Sequence, residues 1–269
     1  MGYQHLDITQ TGAVATLWLN RPEKRNALSE DMWADIPAAV ADLDSDDSVR
    51  VVILAGRGPA FTVGIDVNML AGLQPQGRSS AEANMNLYRK ILELQQTASC
   101  FANTTKPVIA AVSGYCLGAG MDLITACDIR LASEDAVFSV RETKMGLVAD
   151  IGSLQRLPYI VGAGVTAEMA YTGADFDATW GRERGLVNHV FANAEVLLTA
   201  ADKLAAQIAA NSPLVTRGIK QVLKTAEGRT VEESLDYVAQ WNSSFLFSND
   251  LMESINAFVE KRDPDYTGT

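Results

Sequence analysis

The segment KPVIAAVSGYCLGAGMDLITA, residues 106–126, determines how this chain folds. Its first part, KPVIAAVSG, contains the continuous apolar run VIAAV, which is typical of a strand buried on both faces. Its second part, GYCLGAGMDLITA, carries glycines where the backbone must turn and then continues as a helix. A buried strand that leads through a glycine loop into a helix is the repeating unit of an α/β fold.

The stretches before this segment repeat the pattern. RVVILAG, residues 50–56, predicts a second buried strand, and VATLWLN predicts an earlier strand that follows a hairpin turn at TQTG. Ser29, followed by Glu30 and Asp31, has the composition of a helix start.

The stretches after residue 78 complete the organisation. The spacing of apolar residues over 79–102 predicts a long helix, and CDIRLAS and AVFSV predict short strands. Strands and helices therefore alternate from 50 to 140, which predicts right-handed crossovers in an α/β core. After about residue 152 the apolar stripes predict an almost wholly helical C-terminal part.

Composition limits the classes of partner. The 269 residues, 48% of them hydrophobic, are sufficient for one large domain or two small ones. The formal net charge of −11 argues against nucleic acid or an anionic membrane as a partner. No apolar run approaches the ~20 residues of a membrane span, and MGYQHLDITQ lacks the features of a secretory signal. We therefore expect a soluble, cytoplasmic protein.

Side chains that commonly carry chemistry are scarce. Cys100, Cys116 and Cys127 form an odd set without CxxC spacing, so we expect buried thiols rather than disulfides or a zinc site. His5 and His189 are the only histidines, which argues against a Ser-His-Asp enzyme and a histidine metal site. We expect no metal, and chemistry that depends on carboxylates and backbone amides.

One glycine motif is better explained without a ligand. GAGVTA, residues 162–167, fits the GxGxxA pattern of dinucleotide sites, but QRLPYIV before it does not resemble a strand. A helix N-terminus is the better interpretation of this motif.

Two other glycine loops each follow a predicted buried strand. They are PAFTVGIDVNML, residues 59–70, and SGYCLGAGMDL, residues 113–123. Backbone N–H groups at a helix N-terminus favour an anion, and two such groups that converge form an oxyanion hole. For either loop alone, ordinary turn chemistry is an alternative explanation.

Four segments together carry a family resemblance. NRPEKRNALS (20–29), FTVGID (61–66), SGYCLGAGMDL and GSLQRL (152–157) occur in this order. With them the chain resembles the enoyl-CoA hydratase/isomerase (crotonase) superfamily from about residue 5 to 262. The resemblance implies an α/β fold, a crotonase-like spiral of ββα units with a C-terminal helical trimerisation region.

The resemblance also implies how the chain is divided and assembled. Residues 1–200 would form the core with the active site, and residues 201–269 a helical oligomerisation region. The assembly would be a homotrimer or a dimer of trimers. The substrate would be an acyl-CoA thioester, so coenzyme A would belong to the substrate and no cofactor would be needed.

By motif position, the resemblance assigns the backbone N–H groups of Ile65 and Ala119 to the thioester carbonyl. It also implies a set of residues that contact coenzyme A: Lys24, Arg25, Ala27, Gly64, Asp66, Gly118 and Lys261. Arg21 and Arg262 are further positive charges close to them in sequence. The C-terminal pair Lys261 and Arg262 would reach a neighbouring protomer, or would be ordinary surface charges. Candidate linings for the acyl chain are Met69, Leu70, Leu73 and Met145.

Three acids are the candidate catalytic residues. Glu142 follows Asp122 by 20 positions, and Asp150 follows Glu142 by eight. Hydratases of the family pair two glutamates at the first two places, so Asp122 and Glu142 keep a 2-enoyl-CoA hydratase possible. With the third acid, Asp150, the chain resembles the family members that convert 3,5-dienoyl-CoA to 2,4-dienoyl-CoA. This resemblance implies Asp150 as the C2 base and Glu142 as the C6 acid. A non-catalytic acyl-CoA-binding subunit is the alternative of another class.

Each acid also has a purely structural interpretation. Glu142 could pair with Arg141 or Lys144 at the surface, and Asp150 could be the N-cap of the next helix. Asp122 could serve only as an acid in the first turn of a helix.

Overall fold

The computed structural model describes residues 2–72 and 74–269, so the proposed acyl-chain residue Leu73 lies outside the described residues. The described strands are β1 Leu6–Thr11, β2 Val14–Leu19, β3 Val51–Gly56, β4 Ala60–Thr62, β5 Val108–Val112, β6 Tyr115–Leu117, β7 Ile129–Ser133, β8 Val137–Ser139, β9 Phe176–Asp177 and β10 His189–Phe191. The described α-helices are α1 Glu30–Ser45, α2 Val67–Gly72, α3 Ser80–Asn103, α4 Ala119–Thr125, α5 Ser153–Val161, α6 Ala163–Thr172, α7 Ala178–Glu183, α8 Ala194–Ala209, α9 Pro213–Ala226, α10 Val231–Phe245 and α11 Asn249–Glu260.

The strands form two sheets. The larger sheet has the order β1-β2-β3-β5-β7-β10, and the smaller has the order β4-β6-β8-β9. Each of the pairs β3 and β4, β5 and β6, and β7 and β8 sends its first strand to the larger sheet and its second to the smaller one. This is the predicted spiral, and the α/β prediction is confirmed.

The predicted elements occur close to their expected bounds. Strands β1 and β2 pair in antiparallel register around Gly12, whereas β2, β3, β5 and β7 are parallel neighbours. The side chain of Ser29 caps α1, and that of Ser79 caps the long helix α3. The C-terminal part is less uniformly helical than predicted, because β9 and β10 add short strands to the two sheets.

Strand β3 shows why a continuous apolar run was the correct signal. Val52 and Leu54 enter the larger apolar core, which lies between the two sheets and helices α1, α3 and α4. Val51 and Ile53 point to the opposite face, where Leu197 and Ala201 of α8 cover them. Both faces of the strand are therefore buried. Since no side chain of the strand faces water, the sequence does not alternate between apolar and polar residues.

Helix α8 crosses the predicted boundary at residue 200, since it runs from Ala194 to Ala209 and packs on the larger sheet. The division into 1–200 and 201–269 stays a prediction. Within the two described ranges, no helix combines the length and the apolar character that a bilayer span requires.

Candidate active site

The first glycine loop is held by the segment 20–29. Asn26 is fully buried with φ +54°, and its Nδ2 donates to the carbonyls of Arg57 and Ala60 at 2.9 and 2.8 Å. The N–H of Leu28 donates to Gly64 O at 2.8 Å, and that of Val63 to Arg25 O at 3.2 Å. The loop after β4 therefore has a fixed path before it enters α2.

Gly64 is the point where the two glycine loops meet. Its φ of +94° is accessible to glycine and strained for other residues. A Cβ added there would lie 2.9 Å from Leu117 O and 3.5 Å from Ala119 N. The first loop thus approaches the start of α4 to within van der Waals contact, and a side chain would separate them.

Gly118 performs the same task in the second loop. It is the residue before α4, with φ +52° and ψ −117°, and its N–H donates to Ser139 O at 2.9 Å. A Cβ added there would lie 3.3 Å from Glu142 Oε1. Glycine therefore allows the Glu142 carboxylate to lie directly against this loop.

The two amides predicted for an oxyanion hole stand at this junction. Among the hydrogen bonds of residues 2–72 and 74–269, neither the N–H of Ile65 nor that of Ala119 is a donor. Ala119 is the first residue of α4, so its N–H has no acceptor within the helix. The bridge between Leu28 and Ile65 uses the carbonyl of Gly64 and the N–H of Asp66 instead. This arrangement is compatible with two donors converging on one oxygen, which stays a prediction.

Asp122 is the most deeply buried of the three acids. It lies on α4 with a side chain that is almost inaccessible. Its Oδ1 accepts the N–H of Ser153 at 2.6 Å, while its buried Oδ2 has no partner among the described residues.

Glu142 and Asp150 lie on the segment that leads to α5. Glu142 begins the 3-10 helix Glu142–Met145, and its Oε2 is buried without a hydrogen-bond partner in the described part of the chain. Asp150 is half-buried in the irregular stretch just before α5.

The structure disagrees with the purely structural alternatives for Glu142 and Asp150 and agrees in part with the one for Asp122. Arg141 pairs with Asp175 at 2.5 Å rather than with Glu142. The N-cap of α5 is Gly152, not Asp150. Asp122 does lie in the first turn of α4, but its carboxylate accepts its hydrogen bond from α5.

Comparison with known proteins shows the family to which the chain belongs. The family model described as enoyl-CoA hydratase/isomerase matches residues 9–269. The chain belongs to the enoyl-CoA hydratase/isomerase family.

Individual members of the family are similar over nearly the whole chain. The peroxisomal Delta(3,5)-Delta(2,4)-dienoyl-CoA isomerase of Arabidopsis thaliana is 42% identical over 98% of this chain and 97% of its own length. The mitochondrial enzyme of that name from Homo sapiens is 40% identical over 97% of this chain and 81% of its own. The crystal structure of an enoyl-CoA hydratase from Bacillus anthracis superposes with a TM-score of 0.90 and 29% identity, covering 99% of this chain and 100% of that one.

Within this family site, the electrostatics of the three acids are linked through Glu142. Burial, together with the nearby Glu142 carboxylate, raises the pKa of Asp122 to about 7, against the opposing effects of Ser153 and Arg156. Burial and the charge of Asp150 raise the pKa of Glu142, and burial raises the pKa of Asp150. Such a cluster favours a mixed state with at least one acid protonated and one ionised.

The expected coenzyme A residues fall into two groups. Lys24 and Arg25 are exposed beside the first glycine loop, and the Arg25 guanidinium lies 5.9 Å from the centre of the Tyr115 ring. The charge of Arg21 is compensated by an ion pair, since its Nη1 donates to Asp66 Oδ2 at 2.6 Å and also to the carbonyl of Ala27 at 3.0 Å. That contact lowers the pKa of Asp66. Lys24 and Arg25 are therefore the cations that this loop offers to a phosphate.

The C-terminal pair lies apart from the loops, at the end of α11. Arg262 is bound by Glu253 at 2.5 and 2.9 Å and by Glu260 at 2.6 Å, so its charge is already compensated. Lys261 is exposed in a left-handed conformation with φ +56°. Its contact with a neighbouring protomer's ligand stays a prediction.

The proposed acyl-chain residues differ in their surroundings. Met69 packs partly against the larger core, whereas Met145 is 53% exposed. Leu70 is half-buried on α2.

Sequence patterns missed two contacts of helix α3, one with the acid-bearing segment and one with α5. Gln95 Nε2 donates to the carbonyl of Asp150 at 2.7 Å, and Arg156 Nη2 donates to Ser99 Oγ at 3.0 Å. The available signal was a polar residue, Gln95, next to the buried Leu94 on an amphipathic helix. That signal is too common to predict a site by itself.

Proposed function

We propose that this protein converts 3,5-dienoyl-CoA thioesters to 2,4-dienoyl-CoA thioesters. The observation that carries the proposal is the third acid, Asp150, which lies close enough to Glu142 to raise its pKa. The relatives named as Delta(3,5)-Delta(2,4)-dienoyl-CoA isomerases, at about 40% identity over nearly the full chain, support the same activity.

The thioester carbonyl would accept hydrogen bonds from the N–H groups of Ile65 and Ala119. Removal of a C2 proton moves negative charge onto that oxygen, so donors aimed at it stabilise the dienolate more than the substrate. Each donor of this kind contributes roughly 3–4 kcal/mol to barrier lowering in enzymes where it has been removed.

The two proton transfers need separate carboxyl groups. Asp150 would take a proton from C2, the electrons would shift along the dienolate, and Glu142 would give a proton to C6. The C2–H bond breaks and a C6–H bond forms, so the product is an isomer and nothing is oxidised. The reaction thus requires carboxyl groups and amides, and we propose no cofactor beyond the coenzyme A of the substrate.

The surroundings of the acids fit opposite resting states. Glu142 has a buried oxygen without a partner and a raised pKa, which favours the protonated form that an acid needs. Burial raises the pKa of Asp150 too, but Asp150 is less deeply buried than Glu142, so the ionised form that a base needs is less unfavourable there. Asp122 would orient Glu142 and influence its proton affinity from the other side.

The decisive experiment compares substrates and variants by absorbance. The wild type should increase the conjugated-thioester absorbance of a 3,5-dienoyl-CoA, and Asp150→Ala and Glu142→Gln should each reduce that rate by about 10²-fold or more. Full isomerase activity in Asp150→Ala would end the proposal.

The same variants test two alternatives. A hydratase that uses Asp122 and Glu142 would instead remove the absorbance of crotonyl-CoA and tolerate Asp150→Ala. A non-catalytic binder would hold the thioesters tightly without changing either absorbance.

For the coenzyme A moiety, we propose that Lys24 and Arg25 bind its phosphates. The doubly substituted Lys24→Ala, Arg25→Ala protein should have a higher KM and a nearly unchanged kcat, with a weaker dependence of KM on salt. Lys203→Ala, an exposed lysine on α8, is the matched control.

For assembly, we propose a homotrimer or a dimer of trimers. The region from α9 to α11 exposes large apolar side chains, which is unfavourable in water. Among them are Leu223 of α9, Phe247 between α10 and α11, and Phe258 of α11, the last two at 90% and 86% exposure. Sedimentation velocity should give three or six chain masses, and Phe258→Asp should shift the protein to smaller species.

Localisation stays a proposal as well. We propose that the protein is cytoplasmic, although the two enzymes from Arabidopsis thaliana and Homo sapiens are named as peroxisomal and mitochondrial. Fractionation of the source cells, with organelle markers, tests this.

A further inference from the structure

The stretch that carries Asp150 has little backbone support. Among the described residues, no backbone–backbone hydrogen bond involves residues 148–151, which connect the 3-10 helix with α5. Ala149 is buried and Ile151 is partly packed against the core, which fixes the flanks of Asp150 but not its peptide plane. The main chain at Asp150 is therefore held in place by contacts from other elements.

Helix α3 supplies such a contact. Gln95 Nε2 donates to the carbonyl oxygen of Asp150 at 2.7 Å, across 55 residues of sequence. It is a hydrogen bond to the main chain in a stretch that otherwise lacks such bonds among the described residues.

Helix α3 is itself rigidly placed. Its buried face includes Leu94 and Ala98, and the hydroxyl of Thr97 donates to the carbonyl of Trp33 at 2.9 Å. One turn after Gln95, Ser99 accepts the hydrogen bond from Arg156 of α5. The helix therefore holds both the stretch before α5 and the first turns of α5 itself.

We infer that Gln95 is a positioning residue for Asp150, acting through the main-chain carbonyl of the base. This inference rests on the proposed function, in which Asp150 removes the C2 proton. Without this hydrogen bond the main chain at Asp150 could shift relative to α3 and carry the carboxylate away from C2, and a displacement of about 1 Å can cost about 10²-fold in rate. Gln95 does not touch the reacting atoms in this account.

The first test replaces the donor while keeping the length of the side chain. Gln95→Met should lower kcat for isomerisation and the rate of deuterium exchange at C2 together, by about 10- to 100-fold. KM should change by less than about threefold, because the groups that bind the thioester are untouched. Gln96→Met is the control, since Gln96 is exposed on the neighbouring face of the same helix.

The second test separates positioning from a general structural effect. If Gln95 acts through Asp150, Gln95→Met should change the residual rate of Asp150→Ala by less than about twofold, because the base is already absent. An equal loss in both backgrounds would overturn the inference. Gln95→Leu, which also lacks the amide donor and adds no charge, should repeat the result if Gln95→Met folds poorly.

The outcomes also separate this inference from the proposed function. If the wild type isomerises dienoyl-CoA while Gln95→Met exchanges C2 deuterium at the wild-type rate, the positioning role is wrong and the function stands. If the wild type exchanges C2 deuterium but does not isomerise, the function is wrong, and the Gln95 cycle on exchange still decides the positioning role. A wild type with neither activity removes both.

Discussion

Asp122 and Ser153 are 31 residues apart in sequence, yet Asp122 Oδ1 accepts the N–H of Ser153 at 2.6 Å. Ser153 is the first residue of α5, and the N-cap Gly152 has no side chain to cap that helix. A buried carboxylate on α4 therefore satisfies the start of α5 and simultaneously places a second negative group beside Glu142. The same contact joins the stability of the fold to the protonation of the site.

We predict that Asp122 makes the stability of the protein depend on pH in an unusual direction. The pKa of Asp122 is raised to about 7 in the folded chain, against 3.8 as the ordinary value. Between these values Asp122 holds a proton in the folded chain but not in the unfolded chain. The contribution of this proton to the free energy of unfolding is full at low pH and is lost as the pH rises towards 7. As the pH rises through this window, the free energy of unfolding of the wild type should fall by about 1.4 kcal/mol per pH unit relative to that of Asp122→Asn.

Urea unfolding at a series of pH values measures this difference, and asparagine retains an acceptor for the Ser153 N–H. Since both proteins share all other titrating groups, those contributions cancel. Parallel curves for the two proteins would show that Asp122 is ionised throughout and that the raised pKa is wrong.

We predict that removing one backbone donor disables the site without unfolding it. Proline is tolerated at the first residue of a helix, where its missing N–H has no helical acceptor. Ala119→Pro should therefore retain α4 but lower kcat by about 10²–10³-fold, as the loss of an oxyanion-hole donor does. Stopped-flow absorbance with a dienoyl-CoA gives kcat, and the melting temperature reports on the fold.

Ala163→Pro is the matched control for this substitution. Ala163 is the first residue of α6, it follows a glycine as Ala119 does, and it is exposed. If the two proline variants have equal kcat, the N–H of Ala119 takes no part in catalysis.

We predict that a methyl group on Gly118 affects proton delivery more than proton removal. The added Cβ of Gly118→Ala would lie 3.3 Å from Glu142 Oε1, and the φ of +52° is strained for alanine. The Glu142 carboxylate must give way, so isomerisation should fall by at least about tenfold while C2 exchange falls less. Gly12→Ala has a similar φ of +57° and open space around the new methyl, so it should destabilise the fold by about 1 kcal/mol and leave both rates unchanged.

The sequence predicted the parts of this molecule that repeat or lie close together in the chain. Strands β3 and β5 are apolar at every position because both of their faces are covered. The positive φ angles of the backbone at positions 64 and 118 require Gly64 and Gly118. The three acids were predicted from their positions in the family's motifs and the intervals between them, and the structure links them through their effect on one another's pKa.

Contacts between distant segments were not predictable in the same way. The hydrogen bond from Gln95 to Asp150 joins residues 55 positions apart. The apolar periodicity of α3 predicts which face of the helix is buried, but not which polar side chain contacts another segment. For Arg262 the sequence left two alternatives, a ligand contact and an ordinary surface charge, and it did not predict the ion pairs with Glu253 and Glu260. Strand β10 has three residues and pairs only with β7, so its formation depends on the sheet already being there.

We predict that a buried lysine, Lys220, attaches the C-terminal helix α9 to the core. Lys220 of α9 is buried, and its Nζ donates to the carbonyls of Phe101 and Lys106 at 2.8 and 2.9 Å and to Asp128 Oδ2 at 2.8 Å. Lys220→Met would leave two buried carbonyls and a carboxylate without their cation, so the free energy of unfolding should fall by about 3–5 kcal/mol. Lys224→Met, one turn later, removes an exposed contact with Asn103 and should cost less than about 0.5 kcal/mol. Chemical denaturation of both variants measures the difference, and equal stabilities would mean that α9 is held by its apolar contacts alone.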